Sequence, residues 1–389
     1  MKKILFLTSN FPKVLDNGGK LRDYHIMKYL ARKHELWVVG FNEPGLKKTD
    51  LSLPFVPAER CFTVGETRDT AFSDFFRLRY MPLWCLIYYA PEIQEMLDKV
   101  FKMTDFDCLH VSHSFMAHYA LKYSRIKRVI DHHNVKTLLY RDTGNKTNNP
   151  FRKINCAAEL YKWYRYQRQV LNNFEYHTAC SGEEQNAIKE FVKAPVELLP
   201  SGVDTDKFYP KNEGLGGYNL LFTGSLDYFP NHEAVVYFCK QILPRVRRLV
   251  PEVVFQVVGR KPTHGLEQLL RRTANTWFSC DVRDIRPFYY QSTLFVVPLL
   301  DGAGTRLKIM EAMATGLPVV STAKGCQGLG LKDGEGIIIR DDPQEMAGAI
   351  VQLLTDHEMR QKFHEKAIRV ARENFSWDKV LRTLDVIYS

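Results

Sequence analysis

Residues 301–322 read DGAGTRLKIMEAMATGLPVVST, and this stretch decides the fold of the chain. An apolar run, Leu294–Leu300, comes directly before it, and Val319–Val320 lies near its end. The pattern predicts a strand, a tight glycine loop, a helix, a turn and a second strand. Such a unit is typical of an α/β domain with a doubly wound parallel sheet.

The loop and the helix start predict an anion-binding site. Gly302 and Gly304 can adopt backbone angles that are closed to other residues, and Thr305 can cap the helix. Free amides of the first helical turn would then point into the loop, where Arg306 and Lys308 add two positive charges. The residues therefore predict that an anion binds at the start of this helix.

Glu311 is an acid on a helix that is otherwise mostly apolar. The apolar positions are Leu307, Ile309, Met310, Ala312, Met313 and Ala314. A buried carboxylate is costly unless it has a partner. Two interpretations are open: Glu311 belongs to a diphosphate-and-ribose site, or it only pairs with Lys308 at helical spacing.

The composition is that of a globular protein with two domains. The 389 residues suffice for two cores, and 45% of them are hydrophobic and 25% charged. Eight scattered cysteines form no Cys-x-x-Cys pair, so we expect reduced thiols in a cytoplasmic protein, without disulfides or structural zinc. The first residues resemble a strand rather than a secretion signal, and no apolar run approaches the ~18 residues of a spanning helix. We expect no integral membrane segment.

The net charge of +10, with a pI near 9.1, predicts an anionic partner. Anionic lipid headgroups and phosphorylated small molecules both fit this charge. The sequence has no zinc-finger spacing, RNA-binding aromatic signature or long basic tract, so we expect no nucleic-acid partner.

A parallel α/β pattern begins twice along the chain. Ile4–Ser9 and Leu220–Gly224 are both buried-strand runs, and each is followed by a loop and a helical stretch. We predict two Rossmann-like doubly wound domains that face each other across a cleft, with ligands beyond the carboxyl ends of the strands. The turn-rich segment Leu199–Gly214 predicts the boundary.

The sequence predicts two domains and a terminal helix. We place the first domain at residues 1–205 and the second at residues 206–374. A terminal helix at about residues 375–389 is expected to pack back on the first domain.

Five motifs in the second half resemble those of the retaining family-4 glycosyltransferases of the GT-B fold. They lie at residues 222–231, 257–260, 281–287, 301–322 and 375–377. The first half is similar more loosely, at residues 18–19, 106–113, 133–135 and 201–204. The resemblance implies a nucleotide-sugar donor held mainly by the second domain and a hydroxyl acceptor held mainly by the first. It also implies hexosyl transfer with retention, without a metal or other cofactor.

The resemblance also implies roles for single residues on the donor side. Glu311 would accept hydrogen bonds from the donor ribose, and Val282 would offer backbone groups to the base. Arg306 and Lys308 would act catalytically, because fixed positive groups stabilise the charge that develops on the leaving phosphates. The other donor-side candidates are Gly224, Arg260, Asp301, Gly302, Ala303, Gly304, Thr305 and Leu307.

Two departures from the family pattern affect this site. Many members carry a glutamate where this chain has Ala303, and Asp301 is a candidate replacement. Many also carry a basic pair after the first strand of the donor domain, whereas residues 226–231 contain no basic residue. We therefore expect Arg306 and Lys308 to take the phosphate role.

The first half contributes glycines and histidines. By the resemblance, His113 reaches the donor sugar as a catalytic residue; alternatively, it only caps a strand end. Gly18 and Gly19 would let their loop approach the donor phosphates, and His133 and Asn134 would line the acceptor side. The histidines of this half show no metal-ligand spacing of the usual kind, so we expect no metal site.

Two segments mix aromatic and basic side chains, namely residues 72–89 and 160–168. Such a surface could touch an anionic membrane or a lipid-linked acceptor at the inner membrane face. The alternative is ordinary core packing with basic side chains that reach solvent.

The sequence as a whole predicts a glycosyltransferase of cell-surface polysaccharide or glycolipid synthesis. Two alternatives are open. One is a nucleotide-sugar epimerase on the same fold, which would need acid–base carboxylates that the sequence does not identify. The other is a non-catalytic nucleotide-sugar-binding module, for which Ala303 argues.

Overall fold

A computed structural model describes residues 1–15, 17–42, 52–65, 80–211, 217–302 and 306–389. The chain divides into two compact units, Met1–Pro200 together with Leu381–Ser389, and Ser201–Val380. The boundaries therefore lie at 200 and 380, where the sequence suggested 205 and 374. Backbone hydrogen bonds explain the difference: the Val203 amide donates to the Phe375 carbonyl at 2.7 Å, and the Trp377 amide donates to the Val203 carbonyl at 3.2 Å.

The first unit contains a seven-stranded sheet, ordered β3-β2-β1-β4-β5-β6-β7. Its strands are β1 (Lys3–Thr8), β2 (Glu35–Phe41), β3 (Cys61–Val64), β4 (Cys108–Ser112), β5 (Lys127–His132), β6 (Tyr176–Ala179) and β7 (Val196–Leu198), and all described pairings are parallel. Its helices are α1 (Gly18–Ala31), α2 (Leu83–Ile87), α3 (Pro91–Met103), α4 (Lys136–Lys146), α5 (Pro150–Val170) and α6 (Gly182–Lys189). The central strand β1 is almost wholly buried, as expected for a parallel sheet covered on both faces.

The second unit contains a six-stranded parallel sheet, ordered β10-β9-β8-β11-β12-β13. Its strands are β8 (Asn219–Ser225), β9 (Val254–Arg260), β10 (Thr276–Cys280), β11 (Leu294–Val297), β12 (Val319–Ser321) and β13 (Ile337–Ile339). Its helices are α7 (Phe229–Tyr237), α8 (Leu243–Leu249), α9 (His264–Arg272), α10 (Arg286–Tyr290), α11 (Leu307–Ala314), α12 (Pro343–Thr355), α13 (His357–Val370) and α14 (Trp377–Val380). The predicted strand–loop–helix–strand unit is therefore β11, α11 and β12.

The last helix, α15 (Thr383–Ile387), belongs to the first unit. Asp385 forms an ion pair with Lys33 at 2.7 Å, and the Tyr388 hydroxyl lies 2.6 Å from His110 Nδ1. Residues 381–389 thus pack with residues 1–200 in one unit. Within the described ranges, we find no helix that combines the length and apolarity needed to cross a bilayer.

Candidate functional site

Donor-side candidates of the second unit lie at one edge of its sheet. Gly224 is near the end of β8, Arg260 ends β9, Val282 follows β10, and Asp301 follows β11. Because these strands are parallel, the residues share the carboxyl edge, where doubly wound sheets bind ligands. Arg260 is exposed, whereas Val282 and Asp301 are partly buried.

The loop before α11 packs closely against the segment after β8. Gly302 has a φ of 114°, and a Cβ there would lie 3.0 Å from Cβ of Pro230. Arg306 is buried just before the helix, and its Nη2 donates to the Gly302 carbonyl at 2.8 Å. Burial lowers the pKa of Arg306. The other predicted residues of this loop, Ala303, Gly304 and Thr305, lie outside the described residues.

Lys308 extends from the first turn of α11 to the end of β8. Its Nζ donates to Asn231 Oδ1 at 2.8 Å and lies 4.2 Å from the ring centroid of Phe222. A Cβ at Gly224 would lie only 3.0 Å from this ammonium nitrogen. Burial lowers the pKa of Lys308 to about 7. The helix therefore supplies a positive charge beside the β8 loop, which has no basic residue of its own.

Glu311 is held by a neighbour that the sequence did not indicate. The buried Tyr289 hydroxyl donates to Glu311 Oε2 at 2.9 Å and lies 3.2 Å from Thr223 Oγ1. Burial raises the pKa of Glu311, and the Tyr289 hydrogen bond opposes that rise. In the described part of the chain, Glu311 and Lys308 form no ion pair with each other, because Lys308 bonds Asn231 instead. The simple helical pair is therefore not formed. Leu307, the first residue of the helix, is partly exposed.

Asn231 and Tyr289 were not singled out from the sequence. Asn231 lies inside one of the five resembling motifs, so its position gave a signal. Tyr289 lies just beyond another motif, and only the tertiary contact with Glu311 reveals it.

In the first unit, the glycine pair lies against two imidazoles. Gly18 and Gly19 begin α1, and Asn17 caps it by accepting the Lys20 amide hydrogen at 3.0 Å. A Cβ on Gly19 would lie 3.5 Å from His133 Nδ1 and 3.7 Å from His113 Nε2. The structure therefore brings His113, His133 and the glycine loop together at the carboxyl edge of the first sheet. Asn134 is exposed beside them.

The two imidazoles differ in charge. His113 has a φ of 71°, which is rare outside glycine, and its ring centroid lies 3.7 Å from that of His133. Burial would lower the pKa of His133, but Asp23 and Asp131 outweigh it and raise the pKa to about 9. Burial, and then the neighbouring His133, hold the pKa of His113 well below its usual value. At neutral pH, His133 is an imidazolium and His113 a neutral imidazole.

A buried ionic network underlies His133. Arg22 donates two hydrogen bonds to Asp131, at 2.7 and 2.6 Å, so Asp131 compensates the charge of this arginine. His133 Nε2 lies 3.0 Å from Asp23 and 3.1 Å from Asp131. Two cations and two carboxylates therefore balance one another.

Asp23, His113 and His133 place potential ligand atoms within 4.8 Å of one another, which is the spacing of a metal site. A divalent ion would have to displace the proton that His133 shares with two carboxylates. Because the network is already neutral, a metal would add uncompensated charge in a buried place. These residues fit an ion network better than a metal centre.

The two aromatic, basic segments are only partly described. Residues 72–79 lie outside the described ranges. Trp84 stacks on Phe115 with the ring centroids 5.8 Å apart, which is core packing. In α5, Trp163 is fully buried, whereas Tyr161 is 64% exposed. The helix thus buries Trp163 in the core and exposes Tyr161 to solvent.

Two family profiles match the chain. Residues 22–207 match the family described as Glycosyltransferase Family 4, and residues 217–356 match Glycosyl transferases group 1. An uncharacterized 44.6 kDa protein in the cps region of Klebsiella pneumoniae is similar, with 23% identity over 262 residues, covering 65% of this chain and 66% of that protein. The chain spans 66, 59 and 45% of the first curated relatives that it matches.

Solved structures share the fold over the whole chain. Sucrose-phosphate synthase from Thermosynechococcus elongatus has a TM-score of 0.72 at 14% identity, with 100% of this chain and 98% of that chain covered. Anabaena HepE, in complex with UDP and glucose, has a TM-score of 0.67 at 15% identity, with 100 and 99% covered. The predicted GT-B fold class, with two parallel-sheet α/β domains, is confirmed.

Proposed function

The chain belongs to the glycosyltransferases of group 1 and family 4, and from this premise we propose that it transfers a sugar from a nucleotide-diphosphate donor to a hydroxyl acceptor. The observation that carries the proposal is the pair of side chains that α11 directs to the edge of the second sheet. The Lys308 ammonium reaches the end of β8, and the Glu311 carboxylate is fixed by Tyr289. The ammonium is suited to bind the donor phosphates, and the carboxylate is suited to accept hydrogen bonds from the ribose hydroxyls.

The charges of the second unit suit bond cleavage at a diphosphate. Lys308 has a neutral amide as its hydrogen-bond partner rather than a carboxylate, so its charge is available to an anion. Arg306 is buried nearby and bonds a carbonyl. Fixed, partly desolvated cations stabilise charge as it develops on a leaving group. A closing movement that excludes water would reduce hydrolysis of the donor.

The first unit would hold the acceptor. The neutral His113 can accept a hydrogen bond from a sugar hydroxyl or donate one to it. The imidazolium of His133 lies beside Gly19 and can orient the glycine loop. No carboxylate of the described part of this site is free to act as a covalent nucleophile, since Asp23 and Asp131 are both ion-paired. Retention would then proceed by front-side attack, with a donor phosphate oxygen taking the acceptor proton.

The finer parts of the proposal come from the relatives. HepE was solved in complex with UDP and glucose, which supports a UDP-sugar as the donor and a hexose as the transferred group. The Klebsiella relative is named for a cps region, which supports a role in cell-surface polysaccharide synthesis. We place the reaction in the cytoplasm without a metal or other cofactor, at the inner membrane face if the acceptor is lipid-linked.

The test is to titrate UDP-glucose and other nucleotide sugars into the protein by calorimetry, then to assay turnover with and without acceptors. Sugar transfer only in the presence of an acceptor supports the proposal. Conversion of the donor into an isomeric nucleotide sugar without an acceptor would establish an epimerase instead. Binding without any turnover would establish a binding module.

A further inference from the structure

The start of α4 carries a cation without a counter-ion. Lys136 is the first residue of this helix and is 9% exposed. Its Nζ lies 4.2 Å from the ring centroid of Trp84 and 5.9 Å from that of Phe115. Within the described ranges, this ammonium has neither a hydrogen bond nor a carboxylate at ion-pair distance. Aromatic faces compensate the charge of a desolvated ammonium only partly.

Other polar groups of this first turn also lack partners. The Thr137 hydroxyl is buried and has no hydrogen bond among the described residues. Val135 occupies the N-cap position and provides no side-chain cap. A helix start without a cap has unpaired amides and the positive end of the helix dipole, both of which favour an anion.

The nearest acid does not neutralise Lys136. Glu184 accepts the Val135 amide hydrogen at 3.2 Å, and burial raises the pKa of this glutamate. Burial lowers the pKa of Lys136 to about 8, and the effect of Glu184 in the opposite direction does not overcome it. The lysine therefore retains a charge that an added anion would compensate.

We propose that Lys136 and the uncapped first turn of α4 bind an oxyanion, which is the phosphate or carboxylate group of an anionic acceptor. The site adjoins the candidate catalytic histidine, because Phe115, beneath the ammonium, stacks on His113 with centroids 4.8 Å apart. Trp84, whose ring also lies against the ammonium, is partly exposed, so solvent reaches the neighbourhood of this site. The assignment of the anion to the acceptor rests on the proposed function; the anion site itself does not.

The test uses the full chain with inorganic phosphate and acetate as probes. Binding is measured by calorimetry and by ³¹P line broadening for the wild type, Lys136→Met and Lys153→Met. Methionine keeps the aliphatic stem on the aromatic faces and removes the charge. The control, Lys153, is an exposed lysine of α5 in the same unit.

We expect Lys136→Met to weaken phosphate binding at least tenfold and Lys153→Met to leave it unchanged. Lys136→Met should also raise the thermal midpoint without ligand, since it removes an uncompensated buried charge. Equal affinity in the wild type and Lys136→Met, or an equal loss in both variants, would overturn the site. A lowered midpoint with unchanged phosphate binding would overturn it as well and make the lysine purely structural.

Two further arms separate the possibilities that remain. A preference for phosphate over acetate identifies a phosphorylated acceptor, and the reverse identifies a sugar carboxylate; binding of neither probe overturns the proposal. UDP-glucose affinity should be the same in the wild type and Lys136→Met. If the wild type binds phosphate at Lys136 but no nucleotide sugar, the anion site stands and the proposed function falls.

Discussion

Tyr289 holds one oxygen of Glu311, and Oε1 has no hydrogen bond within the described part of the chain. We predict that Tyr289→Phe weakens UDP binding about five- to tenfold, because a hydrogen bond of this kind contributes about 1 kcal/mol. Glu311→Gln should weaken it further, since a neutral amide with one acceptor oxygen replaces a charged carboxylate with two. Calorimetry with UDP measures both effects.

The matched control is Tyr290→Phe, which changes the neighbouring tyrosine of the same helix. The same titrations with 2′,3′-dideoxy-UDP give a second control, because this ligand lacks the hydroxyls that Glu311 would bind. An equal loss for UDP and the dideoxy analogue would show that Tyr289 stabilises the fold rather than the ribose contact.

Lys308 predicts a pH dependence for donor binding. Its pKa is lowered to about 7 by burial, so the free protein loses this charge as the pH rises above 7. The affinity for UDP-glucose should therefore fall from pH 7 to pH 9, at most tenfold per pH unit. In Lys308→Met the affinity should be lower at pH 7 and nearly constant over this range.

Lys240→Met serves as the control, because Lys240 is exposed in the same unit. A steep pH dependence that survives in Lys308→Met would assign it to another group. Equal losses of UDP and uridine affinity in Lys308→Met would place the phosphates elsewhere.

The two imidazoles of the first unit should be distinguishable by NMR. We predict that, at pH 7.5, the ring ¹⁵N shifts report an imidazolium for His133 and a neutral ring for His113, because nearby carboxylates outweigh the effect of burial on the pKa of His133 but not on that of His113. The raised pKa stabilises the fold fully below pH 6.5, and this stabilisation is lost as the pH rises through about 9. A neutral His133 at pH 7.5 would contradict the ion network. It would instead favour a metal site formed by Asp23, His113 and His133.

At the scale of elements, β8 and α11 must approach closely for the Lys308 side chain to reach its position. We predict that Gly224→Ala destabilises the protein by about 1–3 kcal/mol, because the new Cβ would lie 2.8 Å from Asn231 Nδ2 and 3.0 Å from Lys308 Nζ. It should also weaken UDP-glucose binding. Chemical denaturation and calorimetry measure the two effects.

Gly265→Ala is the control, since this helical glycine of α9 has open space around an added Cβ. It should leave stability unchanged or raise it by up to about 1 kcal/mol. If both substitutions have the same small effect, the approach of β8 and α11 is looser than the contacts indicate.

The same elements show what the sequence could predict. β11, α11 and β12 follow from apolar runs, a glycine loop and a helical pattern, all of which are local. The Lys308–Asn231 and Glu311–Tyr289 contacts join residues that are far apart in sequence, so residue spacing could not reveal them. Spacing left open a simple Lys308–Glu311 pair as an alternative to the ligand site, because the two residues are three positions apart on one helix.

The first unit shows the same limit more strongly. The resemblance implied roles for His113 and His133, but the hydrogen bond between Arg22 and Asp131 joins residues that are 109 positions apart in sequence, so residue spacing could not reveal it. The charge of Arg22 is thereby compensated inside the first unit by Asp131. The sequence did not indicate Lys136, because only the tertiary structure shows that no carboxylate of the described residues lies at ion-pair distance from its ammonium.

At the scale of the whole molecule, the first unit is discontinuous in sequence, because its last nine residues return after the second unit. Tyr388 is 3% exposed and contacts His110, and Asp385 pairs with Lys33. We predict that deletion of Leu381–Ser389 destabilises the first unit by several kcal/mol, since it opens a buried surface and leaves His110 without its partner. The second unit, Ser201–Val380, loses none of its own residues, so UDP binding should survive.

Tyr388→Phe is the smaller matched change, because it removes the hydroxyl that lies 2.6 Å from His110 Nδ1 and leaves the ring in place, and it should cost about 1 kcal/mol. Differential scanning calorimetry with and without UDP measures both effects, since the ligand raises only the transition of the unit that binds it. The deletion should lower the transition that UDP leaves unchanged. If it lowers instead the transition that UDP raises, the nucleotide binds to the first unit, and the assignment of donor and acceptor to the two units must be reversed.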